Sequence, residues 1–433
     1  MAKTFKFGEN GKWATKTGSS LAFNDQNDNF KPMPFSVTRD SIATRVNKQG
    51  LIEVVGHDKL RIDYTDSSKG VALLEPARTN LVTYSEDFSN AVWNTWQVTK
   101  TELNNLNPKG INGYYEISHT GSSTDNPNTR LANVSLNGSY TLSVFVKTNQ
   151  SRYISLAIVD YDGDRASVYF DTVNKTFTTI RNVGSSVTNT SYSEFSNEWI
   201  RITLSVNLSN AVYNEVGVGI YNPSGNFSPA SGEVISIFGA QLEAGSYATS
   251  YIPTSGATSQ RQSDVANGAG NSEVFNDSEG VLFANIAALA NDQTFRQMSI
   301  NGTSSNTIRI LYGTTSNEIR GFVQVYNSTK ADISYISSDI TKNTKIAFKY
   351  KQNDFALWVD GFKQGTDTDG VTFPSGTLNN FDFNDNGTGG NPFYGKTKEL
   401  AVFKEALTDA ELETLTSWVS FTQMATDLEY TLE

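Results

Sequence analysis

Apolar side chains recur at every second residue over long parts of this chain. In 140–146 the residues Tyr140, Leu142, Val144 and Val146 share one face, and in 200–206 Ile200, Ile202, Leu204 and Val206 do the same. Successive side chains of an extended strand point to opposite sides, so a period of two marks half-buried strands and argues against helices. Further apolar runs at 154–159, 168–170, 216–220 and 234–238 are separated by Gly, Asn, Ser or Asp clusters, the spacing of a β-sandwich or jelly roll. A second set follows at 281–286, 307–312, 318–326, 345–350 and 355–359, and Asp360-Gly361 is a two-residue hairpin signal. Between the two sets, 258–271 (TSQRQSDVANGAGN) has almost no large apolar side chain and reads as a linker or exposed connection. The expected fold class is mainly β: two β-sandwich domains after a loop-rich N-terminal region, with one short C-terminal helix.

With 433 residues there is room for about three domains. The absence of cysteine excludes disulfides, thiolate metal sites and thiol nucleophiles. Two histidines, His57 and His119, exclude any multi-histidine metal site. A formal net charge of -11 without a basic patch argues against nucleic-acid partners and anionic lipid surfaces. The longest strongly apolar stretch, 281–290, is well short of the roughly 20 residues of a membrane helix, and the first residues lack a signal-peptide core. A soluble protein outside the ordinary secretory route, with no membrane insertion, is expected.

Residues 1–35 carry loop chemistry with isolated aromatics such as Phe5, Phe7 and Trp13, which suits an extended segment that docks on a partner or on sister subunits, or a disordered tail. Short strands are predicted at 51–55 and 60–64, joined by Gly56-His57-Asp58, with His57 a solvated turn residue. Near the C-terminus, Thr408-Asp409-Ala410-Glu411 fits a capping box, and Leu412, Leu415 and Val419 follow at helical spacing beside Trp418. The residues after 420 either continue that helix or form a final strand.

Few residues offer chemistry. Asp160, Asp162 and Asp164 in VDYDGDR would gather oxygen ligands for calcium, though Asp-Gly is equally a tight-hairpin pair. Asp382 and Asp385, with Asn384 and Asn386 in a Gly-rich loop, are a second calcium candidate; no other cofactor is implied. Glu233 and Glu243 are candidates for a glycosidase carboxylate pair, which needs a separation of about 5–10 Å. No G-x-S-x-G elbow or phosphate loop occurs, and no catalytic residue is assigned. Sugar recognition is the natural use of loop aromatics, because apolar sugar faces stack on Trp and Tyr. Trp93, Trp96, Tyr161, Tyr213 and Tyr221 are the candidate glycan-binding residues, whereas Trp199 and Trp358 lie in alternating strands and belong to the core.

Four segments between 41 and 93, SIATRVNKQGLIE (41–53), RIDY (61–64), LLEPARTNL (73–81) and SEDFSNAVW (85–93), resemble a region common in bacteriophage and prophage tail or fibre proteins. GAQLEAGSYATSYIPTSG (239–256), closing with RQSD at Arg261, resembles the end of a carbohydrate-binding-module-like jelly roll. FALWVDGFKQG (355–365) and ELAVFKEALTDAELETL (399–415) resemble laminin-G and concanavalin-like sandwiches. These resemblances imply a virion-attachment and oligomerisation region at 1–87, a jelly roll at 88–262 and a laminin-G-like sandwich at 272–433. They imply a structural protein of the virion, a fibre, spike or head appendage. Its expected partners are other capsid or tail proteins, copies of itself in a homotrimer, and host-surface glycans. A polysaccharide depolymerase or lyase, and a purely structural capsid decoration, are the alternatives.

Overall fold

The alternating runs pair into four large antiparallel sheets that stack as two sandwiches. The computed structural model describes residues 3–7, 13–16, 19–23, 30–32, 35–66, 69–121, 127–147, 151–160, 165–208, 214–223, 232–303, 305–385, 389–418, 422, 425–426 and 431. Among them, no helix is long and apolar enough to cross a membrane.

In the first sandwich one sheet runs, strand by strand, Trp93–Trp96, Asn128–Val134, Asn214–Ile220, Tyr153–Asp160, Arg165–Asp171, Thr176–Val183. The facing sheet runs Val98–Leu106, Asn112–His119, Val234–Ala244, Gly138–Lys147, Trp199–Leu208, Ser185–Glu194. Leu142 pairs with Leu204, Val144 with Ile202 and Val146 with Ile200, and all point inward against Ile154, Leu156, Ile158, Val168 and Phe170 of the other sheet. Full burial of each such side chain stabilises by about 1.5–3 kcal/mol. The back of the second sheet is also covered. Phe145, Trp199, Phe238 and Tyr114 pack there against Ile52 and Tyr251, so Gly138–Lys147 and Trp199–Leu208 are buried on both faces.

The C-terminal sandwich opposes a sheet ordered Phe362–Asp367, Phe355–Val359, Thr344–Lys351, Glu279–Ala288, Gly395–Phe403, Val71–Leu74, Arg61–Asp63 to one ordered Ser328–Ile336, Glu318–Val325, Asn306–Tyr312, Arg296–Thr303, Asn380–Asp382. Three strands from the region before residue 88 therefore belong to this sheet: Val71–Leu74 and Arg61–Asp63 at its edge, and Lys3–Phe7, which pairs with the 400–403 end of Gly395–Phe403. Phe35 packs at 5.0 Å from Phe383 in the same core. The helix Asp409–Thr416 lays Leu412 on the outer face of the larger sheet, beside Phe283, Trp358 and Phe403. Its capping box is formed as predicted: Thr408 Oγ1 accepts the Glu411 N–H and Glu411 Oε2 accepts the Thr408 N–H. Val419 lies outside the described residues.

Two expectations are corrected. Ile52–Val55 pairs with Ala43–Val46, and Arg61–Asp63 pairs with Val71–Leu74, so Gly56-His57-Asp58 does not close a hairpin. The triplet instead wraps Arg39: Asp58 Oδ1 accepts the Arg39 N–H and Gly56 O accepts Arg39 Nη2. Nor is 258–271 an exposed linker. Ser259–Arg261 pairs with Arg78–Asn80 and Val265–Asn267 with Ser36–Thr38, while Arg261, Asp264 and Ala269 are buried. A polar segment can be interior when its charges find partners there.

Candidate functional site

The outer face of the first sheet is the place where aromatic and polar side chains are brought together. Its inward side is set by Ile154, Leu156, Ile158, Val168, Phe170, Val216 and Val218, so the intervening residues face out. Register then fixes a row across the sheet: Trp96 opposite Asn128, Asn128 opposite Gly219, Gly219 opposite Ser155, Ser155 opposite Tyr169, and Tyr169 opposite Thr178. Trp96 and Tyr169 are four strand steps apart, about 19 Å. A parallel row holds Asn94, Arg130, Gly217, Ala157, Ser167 and Arg181. The rows set small residues, of which Gly219, Ser155 and Ser167 are buried, between Trp96 at one end and Tyr169 at the other.

At one side Tyr221 stacks on Tyr169 with centroids 4.9 Å apart, and Tyr153 meets Tyr169 edge-on at 5.5 Å. Arg152 lies over the Tyr153 ring and donates Nε and Nη2 to the two oxygens of Asp171. That bidentate pair, led by the hydrogen bond from Arg152, holds the Asp171 carboxyl well below the usual carboxylate range. Burial raises the Tyr221 phenol, which stays neutral. On the other side Trp96 is 42% exposed, and Arg130 is paired with Glu215 at 2.8 Å. Gly219 is required by the close approach of the strands: a Cβ there would lie 2.5 Å from Pro127 O and 2.9 Å from Ser155 Oγ.

Of the predicted glycan-binding residues, Trp96 and Tyr221 share this face. Trp93 does not: it is buried opposite Leu131, with its ring against Phe88 at 4.7 Å and its Nε1–H donated to Tyr84 O. Tyr161 and Tyr213 lie outside the described residues, as do Asp162 and Asp164 and the side chain of Asp160. Tyr153, Tyr169 and Gly219 were missed by the search for loop aromatics, yet the signal was present. In YISLAIVD and GVGI the alternation that sends Ile, Leu and Val inward sends Tyr and Gly outward.

Of the second calcium candidate, Asn386 lies outside the described residues, and the two carboxylates are engaged by other partners. Asp382 is buried and accepts the Gly268 N–H and the side-chain amides of Asn301 and Asn380, while Asp385 faces Arg309 Nη2 at 3.0 Å. Among the described residues no group of three or more His, Cys, Asp or Glu is placed to hold a metal. Glu243 is enclosed as well, accepting from Gln241 Nε2, Thr249 N and Thr249 Oγ1. It stands ten positions from Glu233 along an extended strand, about 30 Å, so these two carboxylates cannot flank one glycosidic bond.

Segments 61–64, 73–81 and 250–264 meet in one buried cluster. Arg61 of RIDY donates to Glu75 of LLEPARTNL at 2.6 Å and to Asp264 of RQSD; Arg261 reaches Glu75 at 2.8 Å, and Arg39 reaches Asp264 at 2.7 Å. Ser250, from the YATSYIP run, donates N–H and O–H to the Glu75 carboxylate. Burial by itself would raise the Glu75 carboxyl, but Arg261 and Arg61 outweigh it and hold it well below the usual range. These residues join the two sandwiches.

No family model matches the chain, and no curated protein matches it. Among solved structures it is similar to domain 4 of an extracellular arabinanase from Geobacillus stearothermophilus solved with arabinotriose (14% identity, 36% of this chain and 73% of that one, TM-score 0.31). It is also similar to domains LG4-5 of the mouse laminin alpha1 chain (10%, 65% and 86%, 0.23) and to a Trypanosoma rangeli sialidase solved with sialic acid (11%, 74% and 62%, 0.27). Superposition at that level carries no activity across.

Proposed function

We propose that this protein is a non-catalytic appendage of a bacteriophage virion that holds glycans of the host surface on the outer face of its first sandwich. The observation that carries the reading is the register that puts the exposed Trp96 ring and the Tyr169 ring on one face, four strands apart and across small residues, a span longer than a single sugar ring. The virion context rests on the phage-like segments alone. Their charged residues are spent on joining modules, which fits an architecture that carries sandwiches on an attachment region. Copies in a homotrimer, beside other virion proteins, would multiply a weak site by avidity. The enclosure of Glu243 favours adhesion over depolymerase chemistry.

Affinity electrophoresis in gels cast with soluble bacterial polysaccharides that contain no uronic acid tests the site. Wild-type protein is expected to be retarded by at least one of them. Trp96→Ala and Tyr169→Ala each remove a stacking contact of about 1 kcal/mol or more, and the double variant should migrate as in a blank gel. Phe362→Ala, on an exposed ring of the other sandwich, should leave retardation unchanged. Undiminished retardation of the double variant rules this face out.

A further inference from the structure

The C-terminal sandwich carries an open cleft of about 790 Å3 between the 326–327 turn, the 371–374 loop and the adjoining ends of Glu279–Ala288 and Thr344–Lys351. Small-molecule sites commonly occupy about 300–1,000 Å3. Val325 and Phe373 form an apolar floor, and Tyr326 stands at the rim, 67% exposed. The backbone of Tyr326 is strained. Tyr326 and Asn327 have φ of 49° and 61°, the left-handed pair of a two-residue hairpin turn, where Asn, Asp and Gly are favoured. Among the described residues Tyr326 is the only aromatic with positive φ. Asn306 Oδ1 accepts the Tyr326 N–H at 3.0 Å and Ser305 O accepts the Asn327 N–H at 3.2 Å, so the turn is held from outside itself. A bulky ring kept in an unfavourable turn position and left in water points to a use for the ring.

The charges around it are unequal. Lys351 is paired with Glu279 at 2.8 Å, whereas Lys330 donates to a hydroxyl, Ser328 Oγ, at 3.1 Å. One ammonium thus faces the cleft without a carboxylate partner among the described residues. We propose that this cleft is a second glycan site, independent of the first, that takes a saccharide bearing a hexuronate. The Tyr326 ring stacks on the pyranose, and the Lys330 ammonium pairs with the sugar carboxylate.

The test uses the full chain carrying Trp96→Ala and Tyr169→Ala, so that the jelly-roll face is silent. It is titrated calorimetrically with a hyaluronan hexasaccharide and with its carboxyl-reduced form. The acidic probe is expected to bind at least tenfold more tightly. Lys330→Gln should erase that preference while keeping the reduced probe's affinity. Tyr326→Asn should lower affinity for both by tenfold or more with Tm unchanged or raised, because Asn suits the turn. Failure of either probe to saturate, equal affinity for the two, or undiminished binding by Tyr326→Asn overturns the proposal. None of these outcomes bears on the first face, which is read by the loss of retardation on uronate-free polysaccharide when Trp96 and Tyr169 are replaced.

Discussion

Arg61→Ala is expected to cost about 3–5 kcal/mol of stability, because removing one partner from a buried ion cluster leaves the others charged and desolvated. Arg61 is fully buried and bridges Glu75 and Asp264. Without it, Asp264 keeps Arg39 and Glu75 keeps Arg261, but the carboxylates lose the cation that screened them from each other. The cluster ties 35–80 to 250–264, the segments that cover the second sheet and extend the third. Denaturant unfolding followed by calorimetry should therefore change from one transition toward two, one for each sandwich. A variant with wild-type midpoint and a single transition would show that the joint contributes little. The same cluster sets an acid limb. The folded Glu75 carboxyl lies below its unfolded value of about 4.3. Its contribution is therefore complete above about pH 5 and is lost as pH falls below about 4.3 toward the folded pKa. Glu75→Gln should lower Tm at pH 7 and flatten its decline between pH 5 and 3 relative to wild type. Asp171 acts equally in both proteins and cancels from the comparison.

Gly219→Val is expected to damage stability and binding together. A Cβ at this position would meet Pro127 O at 2.5 Å, and a backbone carbonyl in a paired sheet has no rotamer through which to yield. Overpacking commonly costs about 1–3 kcal/mol, and this site should lie at the upper end, since Gly219 is paired on both sides, with Asn128 and with Ser155. Branched methyls would also stand on this face between Trp96 and Tyr169, so retardation on polysaccharide gels should fall sharply. Gly217→Ala is the graded comparison. Its nearest contact, Thr129 O at 3.0 Å, is looser, and a single methyl one row away should cost less and leave part of the binding. A Gly219→Val protein that melts and binds like wild type would remove this face from consideration.

Strands were legible in the sequence where one face was apolar and the other polar, as at 140–146 and 200–206. That these two runs pair with each other, Leu142 beside Leu204, was not, because alternation specifies a face and never a neighbour. Phe145 was out of phase with its run, and the structure gives the reason: a second core lies behind the sheet, built by Ile52 and Tyr251. The misread linker has the same origin. Asp264 looks solvated in TSQRQSDVANGAGN because its partner Arg61 stands 203 positions earlier. Trp93 and Trp96, three residues apart, show the limit for the site. Residue type suits either for sugar stacking, and only register, with Leu131 opposite one and Asn128 opposite the other, separates core from surface.

The strand Gly395–Phe403 is paired through Thr397 with Ala72, and the neighbouring ion pair of Lys396 with Asp66 spans 330 positions. During synthesis the earliest segments leave the ribosome long before the edge they complete exists. The jelly roll, whose strands lie close together in the chain, can fold first, while Arg61–Asp63 and Val71–Leu74 have only each other and lack the sheet they join. Closure of the last sandwich is then the late, slow event, and the period before it is when newly made chains are most exposed to pairing with one another.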